Sequence, residues 1–276
     1  MPSGRRFALT LVAAATIVSA TVPRSAPRPT FALLRHGEAA VSLNWAGYIV
    51  RAPAGAEPLR FTDVVGTWVQ PKLRCTKGHA ASSGFWVGLG GADSTSLALE
   101  QAGTAAICTS SATAVHYAWY EVVPAPPVRW KLAIAPGDKI LAAVAYDDGR
   151  AVLELKNLSR GTAVTRTVAA PAPDLSSAEW IAEAPSLCSS LSSCKIDRLA
   201  NFRRVLFTKA AVTGGEHTGT INDSTWEATS VTLRPKSGDI ASLVPEDPKA
   251  AGAVPSPLTD DGRSFSVTWA RNVTAP

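Results

Sequence analysis

The stretch Ser177-Ala-Glu-Trp-Ile-Ala-Glu183 decides how this chain is read. With a period of two, Glu179, Ile181 and Glu183 share one face of a strand and Trp180 takes the other. Tyr117-Ala-Trp-Tyr-Glu121 repeats the pattern, with Tyr117, Trp119 and Glu121 on one face and Tyr120 opposite. In Ala151-Val-Leu-Glu-Leu-Lys156 one face is polar, as in an antiparallel sheet with a single buried side.

Outward from these segments the chain is a series of short apolar runs broken by turn residues. Strands are expected at 44–50, 63–69, 84–89, 97–101, 115–123, 139–146, 151–157, 163–169, 178–183, 203–210, 229–234 and 264–271. Asp147-Asp-Gly149 suits a tight hairpin turn, and Pro124-Ala-Pro-Pro127 cannot continue a ladder. Residues 199–204 allow a short helix, and 245–257, rich in Pro and Ala, read as a surface loop. Many short strands with little helical period describe an all-β sandwich or barrel.

The ends differ from the middle. Residues 1–20 have a basic start, a short apolar run and a Val18-Ser-Ala20 site, the pattern of a secretory signal peptide. Residues 21–40, rich in Pro, Arg and Ala, read as a pro-segment or linker, and 41–276 as a single β domain. The expected location is therefore secreted, without stable membrane association, since the apolar run falls short of the roughly 20 residues of a span. The net charge of +5 belongs to the leader: Arg5, Arg6, Arg24, Arg28 and Arg35 have no acidic counterpart there, and 22 basic face 22 acidic residues without them. No basic patch remains for a nucleic acid.

Four cysteines in an exported chain suggest disulfides. Cys188 and Cys194 close a short loop and are expected to pair, with Cys75 and Cys108 following by elimination. Zinc spacing is missing, so neither a metal nor a cofactor is expected. Asn157, Asn222 and Asn272 begin glycosylation sequons. No nucleophile elbow, metalloprotease motif, phosphate loop or dinucleotide fingerprint occurs. His79, His116 and His217 read as structural or surface residues.

What remains is a carboxylate at the end of one strand-like run, Glu183, and a carboxamide at the end of another, Leu97-Ala-Leu-Glu-Gln101. A carboxylate can take a proton from water, and a carboxamide N–H can hold an oxyanion. With Trp86 and the aromatic faces above they would form a groove with acidic groups at its floor. Such a groove suits an extended peptide or a sugar. On composition alone, core tryptophans and solvated glutamates explain the same residues.

The order of segments narrows this. Asn44-Trp-Ala-Gly47, Trp86-Val-Gly-Leu-Gly-Gly91, Leu99-Glu-Gln-Ala-Gly103, Ala118-Trp-Tyr-Glu121 and Ala178-Glu-Trp-Ile-Ala-Glu183, followed by a Cys-flanked loop, resemble the glutamic peptidases, or eqolisins. The resemblance implies a sandwich of two large antiparallel sheets (a concanavalin- or lectin-like jelly roll). It implies an acid endopeptidase whose catalytic dyad is Gln101 and Glu183, acting as a monomer on polypeptide substrates. Trp45, Trp86 and Glu121 would line the substrate groove. Two departures fall around that groove: the family's usual Asp is Gly90 here, and an aromatic pair is Val122-Val123. The other readings are a carbohydrate-binding sandwich, a glycoside hydrolase using Glu121 and Glu183, and a peptide-binding relative without activity.

Overall fold

In a computed structural model the described residues are 34–36, 39–93, 96–190, 193–234, 251–271 and 273, the side chains of 34–36, 187–190 and 193–194 excepted. The leader, most of 21–40, and Asn272 lie outside them.

The strands in chain order are β1 (Leu34–His36), β2 (Ala39–Ser42), β3 (Trp45–Arg51), β4 (Phe61–Val69), β5 (Ala81–Leu89), β6 (Glu100–Cys108), β7 (Ala114–Val122), β8 (Val128–Trp130), β9 (Lys139–Asp147) and β10 (Arg150–Asn157). They continue with β11 (Thr162–Ala169), β12 (Ser177–Glu183), β13 (Ser186–Ser190), β14 (Ser193–Ile196), β15 (Arg204–Gly214), β16 (His217–Gly219), β17 (Glu227–Leu233), β18 (Ala251–Pro255) and β19 (Phe265–Arg271). No helix occurs among the described residues.

Hydrogen bonding orders a first layer as β1-β2-β17-β3-β12-β5-β6-β7-β8 and a second as β11-β10-β9-β4-β15-β19-β18, with β16 on the free side of β15. A single pair, Leu233 with Ala253, joins the layers through β17 and β18. Every pairing is antiparallel except β2 with β17. This is the two-sheet sandwich.

The inner faces meet in one apolar core that includes Tyr48, Trp68, Phe85, Trp180, Phe207 and Phe265. Trp180 is fully buried, so its indole N–H needs an acceptor; it donates to the Val65 carbonyl of the opposite layer at 2.8 Å. Trp68 donates the other way, to Thr104 Oγ1 at 3.1 Å. Each such aromatic side chain contributes on the order of 2–3 kcal/mol by leaving water. The Cys75–Cys108 disulfide ties the end of β6 to the segment before β5. Cys188 and Cys194 stand opposite each other in the β13–β14 hairpin, and their side chains lie outside the described set.

Four local expectations change. The Gln101 strand runs from Glu100 to Cys108 rather than over 97–101, because a run of Ala and Gly buried on both faces shows no alternation. Residues 199–204 form no helix; Leu199 and Asn201 make isolated bridges to Ser82 and Arg74, and Arg203 has a φ of +61°. Within 245–257, Ala251–Pro255 is a strand paired along β19. β2 begins at Ala39 and puts Ala40, 2% exposed, into a buried cluster.

Candidate active site

The outer face of the first layer carries the polar residues. Register fixes three rows across it. One reads Trp45, Glu183, Gly84, Ala105 and Tyr117; the next reads Gly47, Ile181, Trp86, Gly103, Trp119 and Arg129; the third reads Ile49, Glu179, Gly88, Gln101 and Glu121. The alternation in 177–183 and 117–121 therefore holds, with Trp180 and Tyr120 pointing into the sandwich. Gly103 is required in the middle row: a Cβ there would stand 2.2 Å from the Phe85 carbonyl and 2.6 Å from Trp86 Cβ.

Glu183, at the end of β12, is partly open to this face. Its carboxylate accepts Trp86 Nε1–H at 2.8 Å on Oε2 and Asn44 Nδ2–H at 3.1 Å on Oε1. Asn44 is held in turn by Ser42, whose hydroxyl bonds to Asn44 Oδ1. Desolvation pushes the Glu183 carboxyl up to about 7, against the opposing effect of the Trp86, Trp45 and Asn44 donors. Trp45 and Trp86, expected to line the groove, are 1% and 0% exposed and meet edge to face at 4.9 Å. They form a packed bed that holds the carboxylate and offer no open ring face to a ligand.

Gln101 donates its Nε2–H to Glu121 Oε2 at 2.7 Å, directly across the β6–β7 ladder. One amide hydrogen remains for another acceptor. Burial and then the nearby Glu183 charge push Glu121 up to about 8, partly offset by the Gln101 bond. Glu121 thus links the two predicted residues: it is bonded to Gln101 and lies within electrostatic range of Glu183.

Glu179, for which the sequence suggested no role, occupies the Gln101 row with Gly88 between them. It is fully buried, and neither carboxylate oxygen makes a well-formed hydrogen bond. Burial raises it well above the ordinary carboxylate range; Ser177 and the Arg51 charge oppose this, while Asp174 and Glu100 reinforce it. Glu100, 1% exposed, is pushed up to about 8 by burial and then by Asp174. Period 2 revealed the face of Glu179; its burial depends on the loops around Ala92 and Asp174, which no short-range pattern reveals.

Those loops also account for Gly90. Its φ of +82° is a left-handed conformation, and a Cβ would lie 2.1 Å from the Asp174 carbonyl, so this path admits no side chain there. The carboxylate at this corner is that of Asp174, which accepts the Gly91 N–H at 3.0 Å. Val123 packs partly buried beside the Trp45–Trp86 cluster, and its N–H bonds to the Leu99 carbonyl. The three histidines lie elsewhere: His79 beside Arg198, His217 on Asp223, and His116 on the inner side of β7. Asn157 is fully buried with its amide on Asp138 and Ala133, which removes that sequon as a modification site.

The fold is a two-layer antiparallel sandwich that gathers carboxyl groups and a carboxamide on one sheet face. The chain belongs to the peptidase A4 family, which it matches over residues 43–241, and it is a peptidase of the glutamic type. Among solved structures it is similar to scytalidoglutamic peptidase bound to a peptide-based transition-state analogue, with 23% identity, a TM-score of 0.63, and 82% of this chain and 98% of that chain covered. It is also similar to SCP-B, an eqolisin complexed with the tripeptide Ala-Ile-His (23% identity, TM-score 0.60, coverage 82% and 98%). A third is aspergilloglutamic peptidase from Aspergillus niger (26%, 0.51, 69% and 99%). No curated protein sequence matches the chain.

Proposed function

We propose that the protein is an exported endopeptidase of weakly acidic surroundings, with Glu183 as general base and acid and Gln101 as oxyanion donor. The observation that carries this reading is the arrangement of Glu183: a carboxylate held by Trp86 and Asn44, raised to about 7, facing the Gln101–Glu121 pair. Ionised Glu183 takes a proton from a water bound over the face. The resulting hydroxide attacks the scissile carbonyl carbon, the C=O pair moves to oxygen, and the Gln101 N–H not used by Glu121 stabilises that oxyanion. Collapse of the tetrahedral species breaks the C–N bond, and Glu183 returns its proton to the leaving amine. No covalent intermediate forms.

The Glu183 charge adds to burial in raising Glu121, so an ionised Glu183 favours a protonated Glu121. The singly ionised form supplies one carboxylate as base, while the remaining proton limits repulsion. Polypeptide is the proposed substrate, processed extracellularly by a monomer. The test is cleavage of an unfolded protein by the purified chain, compared with Glu183→Gln and Gln101→Ala.

A further inference from the structure

Among the outer-face strand residues whose side chains are described, two are cationic, Arg51 and Arg129. Arg51 is engaged: it donates to the Ala92 carbonyl and lies in the field of Glu179. Arg129 is differently placed. It stands directly opposite Trp119 on the edge pair β7–β8, and its Cζ lies 3.6 Å from the centre of the Tyr117 ring. Tyr117 and Trp119 belong to the same face as Glu121. The Arg129 side chain is exposed, and among the described residues it forms no ion pair with an Asp or Glu.

With its centre over the ring and no ion pair to an acid among the described residues, the guanidinium keeps its N–H fork for another acceptor. That fork matches a carboxylate with two parallel hydrogen bonds. The ring also restricts the long side chain, so less freedom is lost when a ligand binds. The Arg129 backbone is one diagonal step from Glu121 across the ladder, and its guanidinium leans the other way, over Tyr117, on the far side of Trp119. The other ionisable groups on the three rows, Glu121, Glu179 and Glu183, repel an anion once ionised, so the attraction is local to the β8 edge.

We propose that Arg129 is a specificity-determining residue that binds a carboxylate of the polypeptide substrate, an acidic side chain or the chain-terminal group, near the β8 edge of the face. This rests on the peptidase reading above and adds a substrate class to it.

The test uses the full secreted protein and a cleavable peptide in which each position in turn is Glu or Gln, with the C-terminus free or amidated. The expected result at pH 5.5 is a preference of about fivefold in kcat/KM for Glu over Gln at one position, carried by KM, or the same contrast between free and amidated termini. The side-chain contrast falls to parity at pH 3, where the substrate carboxyl is protonated. Arg129→Gln brings the ratio to one at both pH values. Arg129→Lys retains part of it, because charge survives and the fork does not.

A wild-type enzyme without either contrast, or an undiminished contrast in Arg129→Gln, overturns the proposal. If the wild type cleaves no peptide, the peptidase reading fails. Equilibrium binding of the same Glu and Gln peptides to wild type and Arg129→Gln then decides the role of Arg129 by the same ratio.

Discussion

The Gln101 amide is bonded to Glu121 at 2.7 Å, while Glu183 is held from its other side by Trp86 and Asn44. The two residues singled out in the sequence thus belong to a three-member arrangement, in which Gln101 is bonded to Glu121 and the Glu121 carboxyl feels the Glu183 charge. This division assigns separate tasks. Trp86 and Asn44 fix the base, Glu121 fixes the carboxamide, and burial, ahead of the charge between the two glutamates, sets when the site ionises.

Gln101→Ala removes the oxyanion donor and leaves Glu121 without its bond. The expected loss is about 10²–10³-fold in kcat with a small change in KM. Steady-state kinetics on one peptide check this. A loss confined to KM would place Gln101 in ground-state binding instead.

Trp86→Phe removes the 2.8 Å donor to Glu183 while keeping most of the ring volume. That donor favours the ionised carboxyl, so its loss raises the Glu183 value above about 7. The low-pH limb of kcat/KM should move to higher pH. An unmoved limb would show that another group controls it.

Much of this was legible from the chain. Strict alternation in 177–183 and 117–121 fixed which residues share the outer face, and the ordered Trp, Gln and Glu segments named the family. The β6 strand was misplaced because Ala102, Ala105 and Ala106 are buried on both sides and carry no period. Ala251–Pro255 was hidden by the prolines of 245–257, of which Pro255 alone belongs to the strand and ends it. The Glu121 bond to Gln101 could be reached only by pairing β6 with β7 in register, and the burial of Glu179 depends on loops distant in sequence.

Stability should be greatest in acid. Glu100, Glu121, Glu179 and Glu183 all have raised carboxyls in the folded chain. Each binds its proton more tightly folded than unfolded, so its contribution is complete below the unfolded value of roughly 4.3 and is lost as pH rises through the folded value. For Glu100, buried and raised to about 8, the cost of ionisation is on the order of 5 kcal/mol. Thermal unfolding followed from pH 4 to pH 9 should show Tm falling through pH 7–8. Glu179→Gln should flatten that fall. A Tm that climbs with pH would contradict the burial of these groups.

Catalysis and stability pull in opposite directions. The ionised share of a base with a value near 7 grows about tenfold per pH unit below it, whereas the fold loses stability as pH rises from the unfolded value of roughly 4.3 to the folded values. The kcat/KM profile should therefore rise through weak acid and fall near neutrality. A flat profile between pH 3 and 7 would remove Glu183 as the titrating base.

Removing the Cys75–Cys108 disulfide by Cys108→Ser frees residues separated by 33 positions. The expected cost is about 2–4 kcal/mol, read by denaturant unfolding. Because Cys108 ends the strand that begins with Glu100 and Gln101, activity should fall at temperatures where the wild type is still folded.

The most direct test is cleavage of an unfolded protein substrate at pH 5.5 by wild type and Glu183→Gln, with Tm measured for both. The amide keeps the shape of the carboxyl and, like the protonated carboxyl, one acceptor oxygen for Trp86 or Asn44, so the fold should survive. The predicted result is a loss of roughly 10³-fold or more in cleavage rate with an unchanged or higher Tm. Equal cleavage by the two proteins would contradict the account.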